Sequence, residues 1–208
     1  MVRNRSGVTV TMNEDNLDRL ERIFADLNSY AVEVGIFAAD DSFYAMLANV
    51  HEFGITITPK NGRYLTIPVS PESHGKRAGD FPNLFRPHGT NVLAVPKGRN
   101  DFEVLFVLVE SVTIPERSFV RSTFDEKEET WSEFLKRQLN LVLSGQISVE
   151  DMFNRMGAIA AADIQEKMAN SSPANAGATI SAKRSSNPLI DTGGLRQRVT
   201  WKVVRRNA

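Results

Sequence analysis

Between Asp125 and Ala169 the chain carries two long runs of helical periodicity, broken around Gly145. The first, about 125–144, sets Trp131, Phe134, Leu135, Gln138, Leu139 and Val142 on one side of a helix. The second, about 148–169, brings Met152, Met156, Ile159, Ala160, Asp163, Ile164 and Met168 close to one face. Ser148 is its predicted cap, with Glu150 and Asp151 in the first turn, where the positive helix end favours acids. A third run, about 14–28, aligns Leu17, Leu20, Ile23, Phe24 and Leu27 behind a predicted Asn13 cap. Each helix has one face to bury and none is apolar all round, so a second layer is required. Strand-like segments at about 31–37, 102–112 and 198–204 supply it. The predicted fold class is therefore α+β, a small, mostly antiparallel sheet packed by three main helices. Trp131 is expected to be buried between helices and Trp201 at the sheet.

The stretch DSFYAMLANVHEFG reads as a further helix, capped by Asp41 or Ser42 and stopped by Gly54. The character then changes. Six of the nine prolines lie between Pro59 and Pro96, among short β-like pieces. Lys60-Asn61-Gly62 carries an Asn-Gly turn, a strong hairpin signal. The expectation is a single α+β domain, 1–208, with a strand-and-loop insertion at about 55–109 and a flexible loop at about 170–187. Segments 70–90 and 170–187 are polar or small. They offer little apolar surface against the ~1–2 kcal/mol per residue lost on ordering a backbone. Neighbours in an assembly are expected to order them.

Composition narrows the chemistry. Cysteine is absent, which removes disulfides, thiolate metal sites and cysteine nucleophiles. The three histidines, His51, His74 and His88, form no HExxH pair, and His51 is read as stabilising a helix end. No GxGxxG, GxxxxGK[ST] or GxSxG motif occurs, and paired carboxylates fall on exposed helix faces such as DEKEE. Catalytic, cofactor-binding and metal residues are each predicted to be none. No apolar run approaches the roughly 20 residues needed to cross a bilayer, so a cytosolic protein without membrane contact is expected.

Lys plus Arg and Asp plus Glu both number 25, but they are segregated. Residues 110–166 hold 6 basic and 11 acidic side chains, net −5; residues 167–208 hold 8 basic against Asp191, net +7. Opposite signs invite contact between the two segments, within one chain or between copies.

Two segments combine a defined turn with an apolar anchor. One is Ile114-Pro115-Glu116-Arg117-Ser118-Phe119-Val120-Arg121; the other is Pro188-Leu189-Ile190-Asp191-Thr192-Gly193-Gly194-Leu195-Arg196. With VEVGIF, the helix ending in HEFG, and AADIQEKM, they occur in an order that resembles the virion morphogenesis, or tail-completion (neck), proteins of Mu-like and related tailed bacteriophages. The typical pattern there is HEFG, then IPARPF(L/F)R, then PL(I/V)DTG.L..S(I/V). This chain has Glu116 and Ser118 where alanine and proline are usual, and Arg198 where serine is common. The likeness covers residues 31–54 and 111–204.

The resemblance implies a structural virion protein at the head–tail junction, assembled in the host cytoplasm. It implies a homo-oligomeric, hexameric ring around the DNA channel, needed for head–tail joining. Its partners would be other neck and tail proteins (terminator, tube or adaptor layer), with phage DNA passing through the lumen without sequence-specific contact. Candidate interaction residues are Arg117, Phe119, Arg121, Leu189, Ile190, Asp191, Leu195, Arg205 and Arg206. Phe119, Leu189, Ile190 and Leu195 are expected to supply affinity between copies, and charge to guide register. The alternative is a DNA-binding or regulatory module using Lys183, Arg184, Arg196, Arg198, Lys202, Arg205 and Arg206.

Overall fold

A computed structural model describes residues 14–99, 101–170 and 193–206. In chain order the elements are α1 (Glu14–Ser29), β1 (Tyr30–Gly35), α2 (Ser42–Phe53), β2 (Ile55–Ile57) and β3 (Leu65–Pro68). Then come β4 (Val92–Pro96), β5 (Phe102–Val109), β6 (Val112–Ile114), α3 (Val120–Leu143) and α4 (Val149–Ala169). The short α5 (Gly194–Gln197) and β7 (Thr200–Arg205) follow. The fold is α+β, with small antiparallel sheets. The chain divides into two compact units: Met1–Glu52 with Arg117–Ala208, and Phe53–Glu116.

In the first unit α4 is the central element. Its capping box forms as its sequence implies: Ser148 Oγ accepts from Asp151 N at 3.0 Å, and Asp151 Oδ2 accepts from Ser148 N at 3.1 Å. Met152, Met156, Ala160, Ile164 and Met168, one per helical turn, are buried, while Ile159 and Asp163 lie at the edge of that face. On α4 lies the two-stranded sheet of β1 and β7, in register Val32↔Val203 and Val34↔Trp201. α1 covers the other end of α4, Ile23 and Leu27 packing near Val142, Val149 and Met152.

The closest approach of sheet to helix is at Gly157. A Cβ there would fall 2.3 Å from Trp201 Cδ1, 2.5 Å from Cγ and 2.9 Å from Cβ. Only glycine admits the indole, whose Nε1 donates to Asn154 Oδ1 at 3.3 Å. Gly157→Ala gains ~1 kcal/mol of helix propensity, but a contact this short cannot be relieved while Trp201 stays in β7. The expected outcome is a net loss of about 1–3 kcal/mol. A thermal melt reads it, with Trp emission as the local probe; an unchanged melting temperature would show that the ring is seated elsewhere.

In the second unit β5 is the middle strand of the sheet β3-β5-β4, and β2 pairs with β6. This corrects the expected single sheet. Segment 102–112 does not join β1 and β7, because Leu65–Pro68 and Val92–Pro96 of its own region provide antiparallel partners on both edges. The Asn61-Gly62 turn is present, Gly62 at φ +86°, but it links strands of different sheets rather than a hairpin pair.

Segment 70–90 is also corrected, for its own unit holds it. Ser73 is fully buried, its Oγ 2.7 Å from Leu105 O. Phe81 meets the buried Phe106 edge-on at 5.7 Å, and Phe85 and Ala94 exchange backbone hydrogen bonds at 2.9 Å. A few well-placed contacts replace the broad apolar surface the segment lacks. The flexible loop expected at 170–187 lies outside the described residues beyond Asn170. Among the described residues no helix is long and apolar enough to cross a membrane.

Candidate functional site

The two motifs HEFG and IPERSFVR meet at the start of α3. α2 is set by Asp41, whose Oδ1 accepts from Tyr44 N at 3.2 Å, and it ends before Gly54 at φ +66°. A Cβ on Gly54 would lie 2.8 Å from Glu116 N and 3.0 Å from Ile114 O, both backbone atoms, so the close approach requires glycine. His51 O accepts from Arg117 N at 2.7 Å.

Glu52, only 6% exposed, turns its carboxylate onto the first turn of α3. Oε2 accepts from Phe119 N at 2.8 Å and Val120 N at 2.9 Å. Oε1 accepts from Ser118 Oγ at 2.8 Å, Arg121 N at 3.0 Å and Arg121 Nε at 3.1 Å. Arg121 Nη2 reaches back to Glu52 O at 2.7 Å. A helix N-terminus carries unsatisfied N–H groups and partial positive charge, and here a distant carboxylate answers both. Burial by itself would raise the Glu52 pKa. The N–H groups of Val120, Arg121 and Phe119 and the Ser118 hydroxyl outweigh it and hold the carboxyl below its ordinary range. With five donors on its two oxygens, this carboxylate is suited to holding a backbone and poorly suited to accepting a proton.

The expected interaction residues are therefore placed as follows. Arg121 is paired with Glu52, and Arg117 is buried at 7% exposure. Phe119, 1% exposed, and Leu195, 5% exposed, lie in one core cluster with Ala161, Ile164, Met168 and Val199. This corrects their assignment as anchors between copies: both apolar side chains are already buried in their own unit. Arg205 Nη2 donates to Tyr30 Oη at 2.7 Å, and Arg206 N donates to Ser29 O at 2.6 Å. Leu189, Ile190 and Asp191 lie outside the described residues.

Charge pairing also differs from the segment totals. Arg198 Nε bonds Asp41 Oδ2 at 2.8 Å with its guanidinium 3.7 Å from the Tyr44 ring centroid, and Lys202 Nζ lies 2.8 Å from Asp40 Oδ2. Two cations of the tail, Arg198 and Lys202, thus find acids before α2, whereas Lys167 pairs with Glu126 of the acidic segment. Trp131 and Trp201 are both partly buried, Trp201 against Gly157 and Trp131 at the helix edge, where its Nε1 reaches Asp163 Oδ2 at 2.7 Å. No group of three or more metal-ligating side chains occurs among the described residues. The signal that could have exposed Glu52 is an acid just before a helix-ending glycine, opposite a helix start, Phe119, that has no capping side chain of its own.

The chain matches no protein-family model, no curated protein and no solved structure.

Proposed function

We propose that this chain is a structural virion protein of a tailed bacteriophage, a tail-completion or neck component. In this reading it forms a ring around the DNA channel at the head–tail junction and is needed for head–tail joining. The observation that supports it best is the Glu52 clasp. HEFG and IPERSFVR, two of the segments that carry the resemblance, lock together through five hydrogen bonds to one carboxylate. That gives the pattern a shared structural cause: a rigid scaffold whose motif residues build the fold. The DNA-binding alternative is weakened because Arg198 and Lys202 are engaged by Asp41 and Asp40.

The test is a phage or prophage carrying a stop codon in this gene. DNA-filled heads and complete but unattached tails are expected to accumulate, with joining restored by the protein supplied in trans. Normal infectious particles would overturn the reading. Native mass spectrometry of the purified protein is expected to give one discrete closed oligomer.

A further inference from the structure

Among the described residues, the first unit has a strand edge with no strand paired to it, beside an apolar groove. β7 is the one strand paired with β1 among the described residues, and none of these residues pairs with the opposite edge of β1. Along that side runs a groove of about 400 Å³, walled by β1 and α3 and floored by α4, with no residue of β7 in its lining. Val32 and Val34 form one wall, Phe124 and Trp131 the other, and Met156 and Ala160 the floor. Phe124 is 51% exposed there. A free edge over an apolar floor selects an extended segment with apolar side chains at every second position, which supplies both the hydrogen bonds and the filling.

The chain itself contains such a segment. Residues 8–12 read Val-Thr-Val-Thr-Met, in the 13 residues that precede α1. Their own tether argues against their own groove. Met12 is two residues from Glu14 and stays within ~7 Å of it. From Glu14 to Ser29 α1 extends roughly 22 Å, and it packs on α3 and α4 rather than back along β1. The start of β1 lies at the far end of that helix. A second copy has no such restriction. The same copy would also bring up the outer face of α1, where Leu17, Leu20 and Phe24 are 45%, 37% and 57% exposed.

We propose that Val8–Met12 of a second copy of this chain adds as a strand to the free edge of β1 and fills the groove between β1 and α3. Repeated from copy to copy, this is a heterologous contact, the kind that closes a ring. The inference deepens the ring reading and rests only on its self-assembly.

Because the chain has no cysteine, single cysteines report the contact directly. Val10→Cys and Ser132→Cys, the latter on the groove wall, are prepared as separate full-length variants, checked by circular dichroism, mixed, and treated with a short bismaleimide. A covalent dimer is expected from the mixture. It should be lost when Val8→Asp is added to the first variant or an excess of synthetic peptide 6–13 is supplied. The double variant should give a ladder of linked chains. Linkage only within single chains would place the segment in its own groove and overturn the proposal. A closed oligomer by native mass spectrometry without the mixed cross-link would overturn the strand exchange and leave the ring. A monomer at every concentration would overturn both.

Discussion

Glu52→Ala is expected to lower the folding free energy by about 3–5 kcal/mol, the cost of breaking a buried, charge-assisted network from one side. The substitution leaves the N–H groups of Phe119, Val120 and Arg121 without their acceptor, and Arg121 Nε without its carboxylate. Glu52→Gln keeps one acceptor oxygen but turns an amide NH2 toward N–H donors, so it should lose less than alanine and clearly more than nothing. Chemical denaturation monitored by circular dichroism measures both. Equal stability of wild type and Glu52→Ala would show that water or another group caps α3. The clasp also predicts acid sensitivity. The folded-state pKa of Glu52 lies below its ordinary value of 4.5. Its contribution is therefore fully present above about pH 4.5 and lost as pH falls through the lower folded value. In Glu52→Gln the stability curve should be flatter across that window.

Phe119→Ala is the second large effect, and it separates a core residue from an interface residue. The ring is 1% exposed and shares a cluster with Ala161, Ile164, Met168, Leu195 and Val199. Truncation removes the transfer free energy of a phenyl group and leaves a cavity against α4, Leu195 and Val199, about 3–5 kcal/mol in all. The expected result is loss of cooperative melting, with any change in oligomer following from it. Arg205→Ala, at an exposed side chain, should leave the melt almost unchanged. A Phe119→Ala protein that melts like wild type yet no longer assembles would restore the interface assignment that its burial removes.

How much of this was legible beforehand depends on distance along the chain. The cap and buried face of α4 were readable because Ser148 and Asp151 are three residues apart and the apolar set recurs every turn. α3 was expected to begin near residue 125 but begins at Val120. Its cap is Glu52, 67 positions before Phe119, and no local pattern announces it. Both motifs of the clasp were visible as segments; their contact was not. The same holds for the basic tail, whose Arg198 is met by Asp41, 157 positions away.

What this sequence by itself determined is the set of local facts: three amphipathic helices, the Ser148 cap of α4, the short proline-bounded strands and the α+β class; the expected Asn13 cap of α1 lies outside the described residues. Periodicity and capping act within one or two turns, so the energy they report is written in neighbouring residues. Only the tertiary structure decided that β5 belongs with β3 and β4 rather than with β1 and β7. It also decided that Glu52 caps α3, that Gly157 makes room for Trp201, and that Phe119 lies inside its unit. Each of these outcomes requires closing a long loop, and many strand partners and acids could satisfy the same local pattern. The choice among them is made by which arrangement buries the apolar faces together with their polar groups satisfied, a property of the whole fold and of no single segment.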